Sequence, residues 1–325
     1  MIPGELLTSV TRRDVTTGEQ VVESVHTGHL VLTGPDGEVI GAIGDPEVVT
    51  FARSTAKPFQ ATACLELLAL SGGTPTPAEI AVAWSSHRAE PVHVEAVRRL
   101  LKRSATPARD LTCPPARGEH DPAAVPAPIL NDCSGKHAMF ALAGTHQGTE
   151  RGDLLTPDGP LQRVVIGVLA EAFGPPRAIG VDGCGAPAVA VPLVAIARAY
   201  ARLVTEPRWE AVRAAGFARP DLVGGEGRLE TALLAEGVVA KPGAEGVFAA
   251  AWVGRDGSPR GLAVRTADGA HRSTEAAVAA LLTDLGVVPP NTWLPPAPLG
   301  GGRSAGEVVV ADAVRELAAA TPAAR

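Results

Sequence analysis

The chain has 325 residues, of which 46% are hydrophobic and only 3% aromatic, so it can bury a sizeable core built from Ala, Val and Leu and is not a disordered chain. The formal net charge is −6 and no basic run stands out, which gives nucleic-acid binding little electrostatic support. No apolar window reaches the roughly 18 residues of a membrane span; the most apolar stretch, Ala186 to Ala197, is cut by Pro187 and Pro192.

Residues 5–52 read as extended. The runs Gly28–Leu32 and Glu38–Gly41 flank the turn Pro35-Asp36-Gly37 and predict an antiparallel hairpin, with a third strand near Val48 to Phe51. A helix is expected from about Thr55 to Leu70, stopped by Gly72-Gly73. Thr76-Pro77-Ala78-Glu79 is a helix start with a cap, Pro at the first position and Glu three residues after the cap. Another helix is expected over Pro91–Arg103, followed by a Pro-rich loop over 104–130 of a length that often carries a role. Further helices are predicted over Lys136–Gly144, Pro160–Phe173, Ala190–Val204 and Thr274–Leu285. A strand over Ala178–Asp182 and a second hairpin, Val247–Val253 with Gly261–Thr266, complete the elements, and the Ala-rich tail is expected to fray. Strands at both ends with helices between them argue for an α+β fold, here an antiparallel sheet flanked by helices with a helical lobe. One catalytic domain over 1–325 is expected, in the cytoplasm, because Met1–Glu5 shows neither a basic nor an apolar leader segment.

Only four lysines occur, at 57, 102, 136 and 241, and the other 25 basic residues are Arg. Surface charge tolerates Arg for Lys. A group that must lose a proton or bind a metal does not, because Arg stays protonated. Each remaining Lys is therefore a functional hint.

In Arg53-Ser54-Thr55-Ala56-Lys57-Pro58, Ser54 and Lys57 share a face at spacing i, i+3. A serine hydroxyl needs a base to become a nucleophile, and a lysine can be that base when burial and a cationic neighbour such as Arg53 lower its pKa. Pro58 is tolerated only in a first turn, so the unit must be a helix entry, where free N–H groups favour an oxyanion. Ser85-Ser86-His87 can supply a second hydroxyl to relay a proton to a leaving amine, or can be a capped polar turn. Asn131-Asp132-Cys133-Ser134-Gly135-Lys136-His137 is dense in donors and acceptors. Its Cys133 can share a soft metal with Cys184, form a disulfide with it, or stay a buried thiol. Asp182, just before Gly183-Cys184-Gly185, can hold an α-ammonium group. Glu245 between Ala244 and Gly246 suggests a tight backbone at a site wall, and Arg265 on an edge strand can point positive charge into a site.

Together the ordered segments Arg53–Pro58, Ser85–His87, Asn131–His137, Asp182–Pro187, Lys241–Gly246 and Asp268-Gly269 resemble the bacterial L-asparaginase II family, the rhizobial inducible type, which is related to the glutaminase and serine β-lactamase fold. The resemblance implies hydrolysis of L-asparagine to L-aspartate and ammonia. It implies Ser54 with Lys57, a second serine matching Ser86, a catalytic contribution from Arg265, and zinc on Cys133, Lys136 and Cys184. Arg53, His137, Asp182 and Glu245 are then the expected substrate-binding residues. A homodimer acting on a small amino acid, without nucleic acid or membrane, is the expected assembly. Two departures are visible. The family pattern has Lys where this chain has Arg265, which can supply charge but cannot transfer a proton, and a Gly is expected where the chain has Ala89. The competing readings are a glutaminase or other small-amide acylase on the same fold, a non-catalytic amino-acid-binding paralogue, and a structural zinc protein.

Overall fold

The structure is a computed structural model that describes residues 2–70 and 73–321. Gly72, read as a helix stop, and residues 322–325 of the tail lie outside the described residues. In chain order the elements are β1 (Glu5–Arg13), β2 (Gln20–Thr33), β3 (Val39–Ile43), β4 (Val49–Phe51), α1 (Lys57–Ala69), α2 (Pro77–Ala83), α3 (Pro91–Arg103), α4 (Ser134–Gln147), α5 (Pro160–Phe173), β5 (Ala178–Val181), β6 (Pro187–Pro192) and α6 (Leu193–Leu203). They continue with α7 (Glu210–Ala218), α8 (Pro220–Val223), α9 (Leu229–Ala235), β7 (Val239–Gly243), β8 (Val247–Val253), β9 (Pro259–Thr266), α10 (His271–Asp284), β10 (Leu299–Gly300), β11 (Arg303–Ser304), β12 (Val308–Val310) and α11 (Asp312–Ala320). Antiparallel sheets flanked by helices make this an α+β fold, as expected. Among the described residues no helix is long and apolar enough to cross a membrane.

The chain divides into two compact units. The first comprises Met1–Thr50, Pro192–Arg202 and Ala240–Arg325. Its sheet has the order β12-β1-β2-β9-β8-β7, with β3 also on β2. Both predicted hairpins form: Leu30 stands opposite Ile43, and Phe248 opposite Val264. The stretch from Val247 to Trp252 is buried at every position, the signature of a sheet covered on both faces. Helix α10 packs on β1, β8 and β9. At Gly261 an added Cβ would lie 2.0 Å from the Ala197 carbonyl oxygen, so α6 and the sheet touch backbone to backbone. That is how a core poor in aromatics closes its gaps.

Four expectations are corrected in detail. β4 does not extend the first hairpin; it belongs to a separate three-stranded sheet of order β4-β6-β5. The run from Pro187 to Pro192 is strand β6, paired Ala178↔Ala190 with β5, and the helix starts only at Leu193. Alanine content favours helix there, but pairing with β5 overrides that local preference. The tail does not fray before Ala320: β12 pairs with β1, and α11 buries Val314 and Ala318. Finally, Arg265 lies on β9, flanked by β2 and β8, so it is on an interior strand and not an edge.

The second unit comprises Phe51–Val191 and Leu203–Val239 and holds α1 to α5 and α7 to α9. Helix α1 packs against α4, α5 and α7 and is buried on nearly every face of its first two turns. Phe59 anchors it edge-on between Phe173 at 4.9 Å and Trp209 at 5.1 Å, the geometry that aromatic quadrupoles favour. Helix α2 begins with the predicted capping box: Thr76 accepts from the Glu79 N–H, and Glu79 accepts from the Thr76 N–H at 2.7 Å. Arg103 at 2.9 Å neutralises the buried Glu79 carboxylate. Thr76→Ala should therefore lower stability by about 1 kcal/mol in urea unfolding without changing the fold; an unchanged midpoint would show that the box contributes nothing.

Candidate active site

The second unit carries Ser54 at the point where β4 turns into α1. Arg53 takes a left-handed backbone (φ 51°), and Arg53–Ala56 form a single 3-10 turn in which the Lys57 N–H bonds the Ser54 carbonyl. Side chains at i and i+3 eclipse in such a turn, which places Ser54 and Lys57 on one line. Pro58 follows in the first turn of α1, where its missing N–H costs nothing. Thr55 is fully buried and gives its hydroxyl proton to the Ala52 carbonyl at 2.6 Å, whereas Ser54 keeps 8% of its surface exposed.

The Lys57 side chain is 1% exposed. Its Nζ donates to the Ser85 carbonyl at 2.6 Å and to Ser86 Oγ at 3.0 Å, with Asp132 Oδ2 at 4.0 Å. Ser85 is buried and gives its own hydroxyl to the Val82 carbonyl, so Ser86 is the serine whose side chain meets Lys57. Arg53 does not act as an unpaired cation beside Lys57. Its guanidinium binds Asp182 Oδ1 at 2.9–3.0 Å, and the two side chains form a half-buried ion pair.

Asp182 and Cys184 sit on one tight turn between β5 and β6. The Gly185 N–H closes the turn onto the Asp182 carbonyl, and Gly185 has a φ of 87°, a conformation natural to glycine. The other face of the cluster comes from the start of α4. Asn131 Oδ1 accepts from the Cys133 N–H at 2.9 Å. A Cβ at Gly135 would stand 1.9 Å from the Val82 carbonyl oxygen, so the glycine lets α4 press on α2 and fixes Lys136. Lys136 Nζ donates to Cys184 Sγ at 3.0 Å. The hydrogen bond from Cys133 outweighs burial and, with His137 and Lys136 nearby, pulls the Cys184 thiol strongly down. The same bond and burial push Cys133 up. Burial opposes the charge on Lys136, but the two sulfurs more than offset it and raise its pKa. All four cysteines are free and buried, so the disulfide option does not occur.

His137 accepts or donates at Nδ1 with Thr112 Oγ1 at 2.6 Å, while its Nε2 is buried without a hydrogen bond. Thr112 comes from the long Pro-rich loop, as does Cys113, whose pKa burial and the neighbouring Cys184 push up to about 12. Sequence reading gave no signal for either residue beyond the length of that loop. Among the described residues no cluster of three or more His, Cys, Asp or Glu side chains could hold a metal, so a metal on Cys133 and Cys184 requires the Lys136 amine as a third donor. Two soft sulfurs and one nitrogen are a donor set that suits zinc, which would have to displace the protons that Cys133 and Lys136 hold.

Arg265 and Glu245 belong to the first unit. Arg265 donates to the Thr266 carbonyl at 2.6 Å and to the Glu245 carbonyl, and Glu245 itself has a φ of 63° in the turn before β8. Beside them, His26 Nδ1 meets Asp268 Oδ2 at 2.5 Å and receives the Arg272 Nε–H at Nε2, a network that was not legible beyond Asp268-Gly269. Ala89, where a glycine was expected, has a φ of 63°, which explains the expectation: the position demands a left-handed backbone.

An α+β scaffold presenting a serine one turn from a buried lysine, with a second serine on that lysine, suits amide hydrolysis. The family model described as L-asparaginase II matches residues 15–310, and the chain belongs to that family. No curated protein matches it significantly. Membership supports amidohydrolase activity toward asparagine in general.

His87 ties the turn of Ser86 to α4, and burial, reinforced by the neighbouring His93, pushes its pKa down to about 3. An unfolded histidine titrates near 6.5, so the unfolded chain binds more protons below that value. The stability held by neutral His87 is complete above about pH 6.5 and is lost progressively as pH falls toward 3. Urea midpoints between pH 7 and 4 should fall, and His87→Gln should flatten that slope; an equal slope in the variant would reject the assignment.

Proposed function

We propose that the protein hydrolyses L-asparagine to L-aspartate and ammonia through an acyl-enzyme on Ser54. The observation that carries this reading is Lys57: buried, one 3-10 turn from Ser54, and bonded at 3.0 Å to Ser86 Oγ. Neutral Lys57 takes the Ser54 proton as Oγ bonds the side-chain amide carbon. The backbone N–H of Ser54 at the helix entry would meet the oxyanion. The tetrahedral adduct collapses as the proton on Lys57 passes by way of Ser86 Oγ to the leaving nitrogen, and the C–N bond breaks to release ammonia. Water then attacks the ester, its proton returns to Ser54 Oγ by the same groups, and aspartate leaves.

The amino acid carries one positive and one negative group at Cα. The Arg53–Asp182 pair offers the opposite charges side by side: Asp182 for the α-ammonium and Arg53 for the α-carboxylate. His137 stands beside the Cys184 sulfur in the same unit, while Arg265 and Glu245 come from the first unit, and Arg265 is tested by substitution. Cys133, Lys136 and Cys184 would hold zinc, which when bound orders this cluster and offers a Lewis acid. Metal analysis of the purified protein should find zinc in the wild type and lose it in Cys184→Ser; a wild type free of zinc, and unable to take it up after reduction, would remove the metal from the scheme.

The direct test is ammonia release from asparagine and glutamine. Ser54→Ala and Lys57→Arg should each lower kcat by at least about 1,000-fold, and Thr55→Val by less than about tenfold. Near-normal turnover by Ser54→Ala sinks the scheme. Arg265 in place of a family lysine is the one observation that favours a binding protein instead. If Arg265 supplies only charge, the wild type turns over and Arg265→Lys stays within about tenfold of it; asparagine binding without ammonia release, restored to turnover by Arg265→Lys, supports the other reading.

A further inference from the structure

His87 is 2% exposed and is anchored at both ring nitrogens. Its Nδ1 accepts from the Ala89 N–H at 3.1 Å, which puts the ring proton on Nε2. Nε2–H then donates to Ser134 Oγ at 2.8 Å, and Ser134 donates to the Ile129 carbonyl at 3.0 Å. The His87 backbone N–H donates to the Asp132 carbonyl at 3.3 Å. One face of the ring stacks on His93 at 5.2 Å with planes 17° apart, and His93 is in turn fixed by the Asp221 carbonyl at 2.9 Å.

These contacts join two segments that each carry part of the candidate site. Ser86, the acceptor for Lys57, immediately precedes His87. Ser134 lies between Cys133 and Lys136 at the start of α4. We propose that His87 is a positioning residue that holds the Ser86 hydroxyl in register with Lys57 by clamping the Ser85-Ser86 turn to the start of α4. The proposal rests on the Ser54–Lys57 reading above. An imidazole suits the task because it is short, flat and uncharged, with an acceptor at one end and a donor at the other.

The experiment compares kcat and KM for ammonia release from asparagine, with thermal unfolding, in the wild type, His87→Leu, His87→Gln, Ser134→Ala, the double variant His87→Leu/Ser134→Ala, and Ser54→Ala. His87→Leu should lose about 100-fold in kcat with KM changed by less than about threefold, as expected for a displaced hydroxyl in a site that still binds substrate. His87→Gln, which keeps an N–H near the ε position, should recover about tenfold of that loss. Ser134→Ala should resemble His87→Leu, and the double variant should be no worse than either single change, because both break one link. If His87→Leu does not fold, His87→Gln and Ser134→Ala carry the test by their kcat. Wild-type kcat in folded His87→Leu, or in both of the others, with Ser54→Ala inactive, overturns the positioning role and leaves the Ser–Lys reading standing. An active Ser54→Ala overturns both and is distinguished by that variant alone.

Discussion

A primary amine almost without contact with water must find acceptors inside the protein, and the second unit is organised around meeting that need for Lys57. Leaving such a group unpaired costs several kcal/mol, more than any single packing contact returns. Its acceptors, the Ser85 carbonyl and Ser86 Oγ, come from the turn after α2, and the nearest carboxylate, Asp132, comes from the turn before α4. Three elements distant in sequence are thereby bound to one nitrogen. The amine also constrains what surrounds it: the Ser85 hydroxyl is occupied by the Val82 carbonyl, so the acceptor that remains available is the one suited to passing a proton onward.

Lys136 meets the same need with sulfur in place of oxygen. Its amine bonds Cys184, whose pKa is also lowered by the hydrogen bond from Cys133. The two amines differ in their partners. Lys57 donates to two oxygens, one of them a hydroxyl, whereas Lys136 donates to a sulfur. A single turn between β5 and β6 supplies both Asp182 and Cys184, so the Arg53–Asp182 ion pair and the sulfur cluster share one support.

Elements with local punctuation were legible in the sequence. The helices over Pro91–Arg103 and Pro160–Phe173 fall where they were expected, each opening on a proline. Elements defined by distant partners were not: the helix expected from Ala190 starts only at Leu193, because the residues before it pair with β5 as β6. The same division runs through the site. Ser54 and Lys57 were legible from spacing and from Pro58. The scarcity of lysine was a sharper signal than it first seemed, since Lys57, Lys136 and also Lys241 are buried, the last fully. The Arg53–Asp182 pair spans 129 positions, and no local pattern foretells that Arg53 is neutralised there and does not act on Lys57. His87 looked like a residue of a polar turn because its partners, Asp132 and Ser134, are set by the packing of α4 on α2.

Backbone strain separates the two serine-bearing turns. Arg53, before Ser54, and Ala89, three residues after Ser86, both hold left-handed conformations that cost a non-glycine residue about 1–2 kcal/mol. Glycine would relieve either one. At position 53 it would also delete the guanidinium that pairs with Asp182, so the side chain supplies a reason for the strain to persist. At position 89 the methyl group supplies no charge or hydrogen bond; what matters there is the N–H directed at His87 Nδ1, which a glycine would present equally well. The strain at Arg53 therefore goes with the ion pair to Asp182, while the strain at Ala89 is a cost of this particular sequence, borne where the turn after Ser86 is tied to His87 Nδ1.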